Sequence, residues 1–362
     1  MVLKCGILGL PNVGKTTLFN ALMESNKAEV ANYPFATIEP NFGRVLVPDK
    51  RVNQLSEISG SKKVVPTYID FVDIAGLIKG ASHGEGLGNK FLNHIREVDA
   101  LVHVVRCFEN ENITHISSNV NPEEDIDTIK TEIKLADIEI LQNKLTHLQK
   151  KSKSNNKEIK IQLDLVNNLL ERLNNDQSIN SSAEQKISND LNLITNKPTL
   201  YICNVDEKSI INGNNLSDIV QLKSKKEGNH AVLVSAAIES QIAQLNNERD
   251  KIELLYDLGT KETTLNKVIN SCYNLLNLIT FFTSENKETR AWTIKKNATA
   301  IEAAGKIHSD FKKGFIRAET ISYDDFVHFK GDHVCREKGK LRQEGKEYIV
   351  KDGDVFHFLF NV

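Results

Sequence analysis

The sequence lacks a long apolar run and an excess of charge of one sign. No stretch approaches the roughly 18 apolar residues of a membrane-spanning helix. The 46 lysines and arginines nearly balance 48 aspartates and glutamates, which gives a formal net charge of −2. We therefore expect no membrane partner. The balance also excludes a protein coated with basic charge, such as a histone-like DNA binder, although it allows a local basic patch.

Cysteine is sparse, and its spacing does not suggest metal or redox chemistry. Five cysteines lie far apart in 362 residues, and no Cys-x-x-Cys pair occurs. Several of them lie in apolar runs, where cysteine acts as a small hydrophobe. The first ten residues resemble a strand and not a signal peptide. We therefore expect a reduced, cytoplasmic protein, and the length suggests two or three domains.

Strand and helix signals alternate along much of the chain. Apolar runs at Leu3–Leu8, Tyr68–Val72 and Ala100–Val105 are typical of buried strands, and helical patterns lie between them. This alternation predicts an α/β fold with a mainly parallel sheet. Strand signals return at Thr199–Asn204 and Ala231–Ser235, so the intervening segment is predicted to be an insertion.

The insertion has helical periodicity. Apolar residues recur every three or four positions from Ile126 to Leu148 and from Ile159 to Leu173, with the polar stretch KKSKSNNK between them. This pattern predicts an antiparallel helical hairpin. We place this arm at about residues 123–196, within a domain that spans residues 1–276.

The remaining residues, 277–362, predict a small α+β domain. A helix is expected at Ala300–His308, and two of the expected strands, Glu347–Lys351 and Val355–Phe360, flank the turn signal KDGD.

The strongest motif is GLPNVGKT at Gly9–Thr16, which matches the P-loop pattern GxxxxGK[ST] between a strand and a helix. Its backbone amides can surround phosphate oxygens at a helix N-terminus. Lys15 is expected to contact the β- and γ-phosphates and assist catalysis, and Thr16 to bind Mg²⁺. The expected phosphate-binding residues are Asn12, Val13, Gly14, Lys15, Thr16 and Thr17.

Two further segments predict a switch NTPase. DIAG at Asp73–Gly76 ends a strand, where Asp73 can reach Mg²⁺ through water and Gly76 can sense the γ-phosphate. Between the P-loop and DIAG, NYPFATIEPN contains Thr37, a candidate switch threonine that would close on Mg²⁺ and the γ-phosphate. A metabolic kinase would need an acceptor site and would not need these segments.

The base-reading segment is NVDE at Asn204–Glu207, which follows an expected strand. GTPases carry NKxD here, and Val205 and Glu207 replace the lysine and the aspartate. The longer carboxylate fits the guanine edge poorly, and adenine offers one donor and one acceptor instead of two donors. We therefore predict that ATP is preferred over GTP, with Asn204, Val205 and Glu207 framing the base and Ser235 in the last base-contacting loop.

The position after DIAG holds Leu77, where many switch GTPases have a glutamine that positions water. Leucine cannot form that hydrogen bond, so another residue must do so or hydrolysis is slow. His83 and His115 are both candidates from their positions, and the residues alone do not decide between them. Slow hydrolysis would leave a nucleotide-gated binding module as an alternative to an ATPase, beside an Obg-type GTPase.

Several long motifs together carry a family resemblance. They are KCGILGLPNVGKTTLFNAL, NYPFATIEPN, FVDIAGLIKGASHGEGLGNKFL, HVVRCFENENITH and YIVKDGDVFHFLFNV. Over essentially its whole length the chain resembles the YchF / Obg-like ATPase family, a branch of the translation-factor-class P-loop NTPases. The resemblance implies an OBG-type G domain with a coiled-coil arm and a C-terminal TGS domain of β-grasp type.

The resemblance also implies a function. The family hydrolyses ATP in preference to GTP, carries an NxxE motif that matches Asn204 and Glu207, and uses a histidine that matches His115. It associates with ribosomes and is tied to translation and stress responses, and we expect a monomer. Two basic stretches, at residues 144–160 and 336–346, are then candidate contacts with ribosomal RNA.

Overall fold

The structure is a computed structural model that describes residues 3–25, 42–74, 92, 94–110, 120–151, 156–177, 179, 181–245 and 247–361. The chain forms two compact units, and the unit boundaries pass through residues 43/44, 69/70 and 265/266. The first unit holds residues 3–43 and 70–265, and the second holds residues 44–69 and 266–362. None of the helices in the described part of the chain is long and apolar enough to cross a membrane.

The described chain contains twelve strands, and their bounds are as follows: β1 (Lys4–Leu8), β2 (Phe42–Leu46), β3 (Val64–Val65), β4 (Tyr68–Asp73), β5 (Ala100–Arg106), β6 (Thr199–Asn204), β7 (His230–Val234), β8 (Leu278–Ser284), β9 (Thr289–Lys295), β10 (Phe315–Ser322), β11 (Arg342–Glu344) and β12 (Asp354–Phe360).

The α-helices of the described residues are α1 (Lys15–Glu24), α2 (Lys50–Ser59), α3 (Pro122–Lys151), α4 (Lys157–Asn174), α5 (Ser182–Asp190), α6 (Asn215–Lys226), α7 (Ala236–Gln244), α8 (Glu248–Asp257), α9 (Thr264–Leu275), α10 (Ala300–Ile307), α11 (Ser309–Lys313), α12 (Tyr323–His328) and α13 (Asp332–Glu337). Short 3₁₀ turns lie at Ile194–Asn196 and Glu207–Ser209.

The first sheet has the strand order β2-β4-β1-β5-β6-β7, and β4, β1, β5, β6 and β7 pair in parallel. Every residue of β5 is buried, as expected for a strand covered on both faces. Strand β1 pairs with β4 on one side and with β5 on the other, so the order of the strands reverses at β1. In such sheets ligands bind beyond the carboxyl ends of the strands near this reversal. The predicted α/β fold is therefore confirmed.

The first inserted helix packs against the sheet near its start and against the second inserted helix further along. The first half of α3 contributes Ile126 to a cluster with strand residues of β5 and β6. In the second half, Leu141 and Leu148 pack with Val166 and Leu169 of α4. Helix α3 ends at Lys151 and α4 begins at Lys157, so the two helices flank the polar stretch as the sequence pattern predicts.

A buried carboxylate connects the middle of α3 to the segment that precedes β6. Asp137 is fully buried and accepts hydrogen bonds from the backbone amides of Ile194 and Thr195, at 3.1 and 2.7 Å. The Thr195 hydroxyl adds a third bond at 2.8 Å. Residues 194–196 lead directly into β6, so α3 is tied to the strand that carries the base motif.

The second unit contains a mixed sheet in the order β11-β10-β12-β8-β9-β3. Two antiparallel pairs, β8–β9 and β10–β12, meet where β12 runs parallel to β8. Helix α10 packs on one face, where Ala303 and Ala304 join a cluster with Phe281 and Phe356. Helix α2 packs on the other face through Val52 and Leu55. This topology is that of a β-grasp fold.

Two expectations differ from the structure. The strand expected at Glu347–Lys351 is absent: these residues form a turn with one isolated bridge between Ile349 and Thr299, and the edge strand is β11. The domain expected to span residues 1–276 differs from the first compact unit, because residues 44–69 and 266–276 belong to the second unit. Strand β3 pairs there with β9, and α2 supplies core side chains.

Candidate nucleotide-binding site

The predicted P-loop connects β1 to α1, and its backbone needs glycine at two positions. Gly14 has φ +96°, and a Cβ there would lie 2.3 Å from the amide nitrogen Nδ2 of Asn204. A Cβ on Gly9 would lie 2.5 Å from the carbonyl oxygen of Val104. Asn12 is also left-handed, with φ +60°. The loop is therefore packed too closely against neighbouring strands for larger residues at these glycines.

Lys15 begins α1 and is only 7% exposed. Its ammonium group donates to the carbonyl oxygen of Leu10 at 2.6 Å, so the side chain lies across the loop. Burial lowers the pKa of Lys15 to about 8, and the nearby Asp73 carboxylate partly opposes this shift. An anionic ligand in the loop would stabilise the charged form.

Thr16 and Asp73 lie together at the carboxyl edge of the sheet. The Thr16 hydroxyl donates to Oδ2 of Asp73 at 3.2 Å, although β4 and α1 are far apart in sequence. Burial raises the pKa of Asp73, while the Thr16 hydrogen bond and Lys15 lower it. Oδ1 of Asp73 is buried and has no hydrogen-bond partner among the described residues.

These two residues fit a magnesium ion. Hydroxyl and carboxylate oxygens are the ligands that Mg²⁺ prefers, either directly or through its waters. The unpartnered Oδ1 of Asp73 has capacity for a bound ion or its water, and a cation would favour the charged form of a carboxylate that burial disfavours. The predicted pair Thr16 and Asp73 is therefore brought together in a geometry suited to Mg²⁺.

Asn204 joins three loops of the site. Its Nδ2 donates to the carbonyl oxygen of Val13 in the P-loop at 2.8 Å, and its Oδ1 accepts from the backbone amide of Ala236 at 3.0 Å. Ser235, buried at 2% exposure, precedes that amide and caps the start of α7 through its backbone. The sequence suggested a role for Asn204 at the base. It did not suggest that its carboxamide positions the P-loop.

Glu207 and Val205 occupy very different environments. Glu207 is exposed and opens a 3₁₀ turn that Asp206 caps by accepting from the Ser209 amide at 3.0 Å. Val205 is 2% exposed and packs with Tyr201 in a core cluster. The expectation that the Val205 side chain frames the base is therefore corrected, because it is part of the hydrophobic core.

The carboxylate of Glu207 has no protein partner among the described residues and lines an open cavity of about 530 Å³. Ile210, Ile211 and Leu258 supply apolar walls to this cavity. Glu207 therefore remains available to a ligand, whereas the carboxylate of Asp206 is used in the cap.

The remaining predicted residues have mixed outcomes. Val13 is buried, while Asn12, Thr16 and Thr17 are exposed at the start of α1, where a ligand can reach them. Thr37, Gly76, Leu77, His83 and His115 lie outside the described residues.

One residue of this edge was not predicted. Arg106 ends β5 and is 1% exposed. Its guanidinium donates hydrogen bonds to the backbone carbonyl oxygens of Phe108 and Asn110. Sequence offered only a weak signal, a single arginine at the end of an apolar run.

The two basic stretches also differ. In the C-terminal stretch three of the five cations are paired with acids. Arg336 lies 2.9 Å from Glu319, and Lys340 lies 3.3 Å from Asp325. Arg342 lies between Asp354 and Glu344. In the arm, Lys150 and Lys157 are exposed and have no acidic partner in the described part of the chain. Lys338 and Lys346 of the C-terminal stretch are likewise exposed and have no acidic partner among the described residues, so both stretches keep unpaired lysines.

Comparison with known proteins gives the family. Residues 4–144 match the family described as 50S ribosome-binding GTPase. Residues 278–361 match YchF-GTPase_C, described as a protein of unknown function. The chain is 53% identical to Ribosome-binding ATPase YchF of Haemophilus ducreyi over 366 residues, with both chains fully covered. The chain belongs to the YchF family.

YchF proteins with lower sequence identity also match nearly the whole chain. Ribosome-binding ATPase YchF of Bacillus subtilis is 47% identical over 368 residues, again with full coverage of both chains. The structure of the Schizosaccharomyces pombe YchF GTPase matches with a TM-score of 0.89 at 37% identity, over 99% of this chain and 97% of the other. The family match to YchF-GTPase_C begins one residue after the expected domain boundary at 277.

Proposed function

We propose that this member of the YchF family is a Mg²⁺-dependent ATPase that prefers ATP to GTP and acts as a nucleotide-controlled switch on the ribosome in the cytoplasm. The observation that carries the proposal is the base loop: Asn204 anchors it to the P-loop, and it ends in the available carboxylate of Glu207. Relatives covering the whole chain carry the name ribosome-binding ATPase, which supports both the nucleotide and the partner.

The phosphate half of the site uses Lys15 and the loop amides to bind the triphosphate. ATP displaces the ammonium group of Lys15 from the Leu10 carbonyl, and the phosphates then hold it in its charged form. Thr16 and Asp73 hold Mg²⁺, which neutralises phosphate charge when it is bound. Thr37 and Gly76 complete the switch in this proposal, and His115 positions water in place of the missing glutamine at Leu77.

The base half of the site selects adenine. Asn204 fixes the loop, and Glu207 occupies the position where guanine-specific proteins carry aspartate. Its extra methylene moves the carboxylate relative to the two adjacent donors of guanine, while adenine presents only one donor on that edge. The expected effect is a loss of guanine affinity.

Ribosome contact is assigned to the arm. Lys144, Lys150 and Lys157 have no acidic partner among the described residues, and the last two are exposed. Such side chains suit the phosphate backbone of RNA, which provides affinity through counterion release. The C-terminal basic stretch is a weaker candidate because three of its five cations are paired with acids.

Isothermal titration of the full chain with ATP and with GTP, each with Mg²⁺, tests the base assignment. Tighter binding of ATP supports it, and tighter binding of GTP contradicts it. Sedimentation with ribosomes, with and without ATP, tests the partner. Binding that is absent under both conditions would contradict the switch.

A second candidate function is a binding module whose nucleotide only maintains a conformation. Leu77, which cannot hydrogen-bond to water, favours it. Turnover measured with and without ribosomes separates the two. Ribosome-stimulated turnover indicates a switch, and unchanged turnover with nucleotide-dependent binding indicates the module.

A further inference from the structure

Arg106 has the largest fully buried side chain among the described residues, and neither the phosphate site nor the base site uses it. It is the last residue of β5, between the strand that leads to the P-loop and the strand that carries the base motif. Its register partner in β6 is Asn204. A charged side chain in such a place is costly unless its donors are satisfied.

The guanidinium donates hydrogen bonds to the irregular chain that follows it. Nε donates to the carbonyl oxygen of Phe108 at 3.1 Å, and Nη2 donates to that of Asn110 at 3.2 Å. The cation also lies 4.7 Å from the centre of the Phe108 ring. The planar guanidinium of arginine can donate to two carbonyl oxygens at once, whereas the ammonium group of lysine is a single point of charge.

Two other contacts fix the same segment to the base loop. The backbone amide of Cys107 donates to the carbonyl oxygen of Asn204 at 2.8 Å. The side-chain amide of Asn214 donates to the carbonyl oxygen of Cys107 at 2.8 Å. Residues 107–110 are therefore held at the carboxyl edge of the sheet, where parallel sheets of this kind place their functional loops.

A fourth interaction reaches the arm. Ile126, in the first turns of α3, is fully buried and packs in one cluster with Val105 and Cys107, the neighbours of Arg106 in the chain. Helix α3 continues without interruption to Lys151 at the end of the arm. The arm helix, the chain leaving β5 and the base strand therefore meet around the end of β5.

We propose that Arg106 is a positioning residue for ATP hydrolysis: it holds residues 107–110 at the nucleotide edge of the sheet. This inference rests on the proposed function, because it needs hydrolysis to depend on the chain beyond β5. ATP affinity is assigned to the P-loop, Asn204 and Glu207, none of which requires the guanidinium. Loss of Arg106 therefore acts on the rate of turnover more than on nucleotide binding.

Steady-state ATP turnover of full-length Arg106→Lys and Arg106→Met tests the inference, with the exposed Arg249→Lys as the matched control. We expect kcat to fall about 10- to 100-fold with KM changed less than about threefold, because small displacements of positioned groups have effects of this size. Lys keeps a positive charge and one donor group at this position, so Arg106→Lys should melt closer to the unsubstituted protein and retain more activity than Arg106→Met.

An unchanged kcat in both variants would overturn the inference. So would a parallel loss of kcat, ATP affinity and melting temperature in Arg106→Lys, which would indicate a purely structural side chain. If Arg106→Met fails to fold, the kcat and KM of Arg106→Lys decide. Absence of ATP turnover in the unsubstituted chain would instead refute the proposed function itself.

Discussion

The side-chain amide of Asn204 and the carbonyl oxygen of Val13 lie 2.8 Å apart, although 191 residues separate them in sequence. The other end of the carboxamide accepts from Ala236, so a single buried side chain joins the P-loop, the base loop and the start of α7. The predicted phosphate loop and the predicted base loop are thereby joined through one side chain.

Replacement of Asn204 by alanine should weaken both functions of this link. The change leaves the amide of Ala236 and the carbonyl of Val13 without their partner in a buried site, which costs about 1–3 kcal/mol for an unsatisfied group. We expect ATP affinity to fall about 10- to 100-fold by isothermal titration. The exposed Asn212→Ala should bind ATP normally, and normal binding by Asn204→Ala would show that the link is dispensable.

Replacement of Thr16 by valine should affect the magnesium requirement. Valine keeps the shape of threonine but removes the hydroxyl that lies beside Asp73. We expect the Mg²⁺ concentration for half-maximal ATP turnover to rise about tenfold or more, since the metal loses one ligand. The neighbouring Thr17→Val, which keeps the Thr16 hydroxyl, should leave this midpoint unchanged. Equal midpoints for both variants would remove Thr16 from the metal site.

The pKa of Lys15, lowered by burial to about 8, predicts that ATP binding depends on pH. Above pH 8 the nucleotide-free protein holds this amine mostly neutral, and bound phosphates raise its pKa. Binding must then take up a proton, so the apparent Kd should rise with pH above 8, by up to about tenfold per unit. Titration calorimetry at pH 7, 8 and 9 in buffers of different ionisation heat measures both the Kd and the proton uptake.

Lys15→Arg is the control for this effect, because arginine stays charged throughout the range. Whatever its affinity, the Kd of that variant should not change between pH 7 and 9. A Kd of the unsubstituted protein that is constant over the same range, without proton uptake, would contradict the assignment of the titration to Lys15.

The arm lysines predict salt-dependent binding to RNA. Neutralising Lys150 and Lys157 with glutamine should weaken ribosome binding and reduce the slope of log K against log salt by about 0.7–0.9 for each phosphate that the arm no longer neutralises. Sedimentation at several salt concentrations measures this slope. Arg336→Gln, which removes a cation already paired with Glu319, should have a smaller effect. The reverse order would move the RNA-binding surface to the C-terminal unit.

The sequence predicts those parts of the site that depend on neighbours in the chain. The P-loop, the end of β4 and the base motif each combine a strand signal with a few residues of fixed spacing, and all three lie at the sheet edge where the strands predict them. The α/β fold and the paired arm helices follow in the same way, from local periodicity.

Features that depend on residues far apart in the chain could not be predicted from the sequence. Residues 44–69 join the second unit because Val64 and Val65 pair with β9, more than 200 positions later. The apolar residues near Ile349 resemble a strand but find only one bridge, at Thr299. Part of the positive charge in the C-terminal basic stretch is compensated by acids such as Glu319, which precedes it on another strand. Likewise, the burial of Val205 follows from packing against Tyr201 and not from its place in the motif.

Selection of adenine is the central claim, and the dissociation constants of ATP and GTP with Mg²⁺ test it most directly. We predict that the unsubstituted protein binds ATP at least about tenfold more tightly, a difference of about 1.4 kcal/mol. In Glu207→Asp the ratio should shift toward GTP, while the exposed Glu253→Asp keeps it unchanged. Tighter binding of GTP by the unsubstituted protein, or a ratio that Glu207→Asp leaves unchanged, would contradict the account.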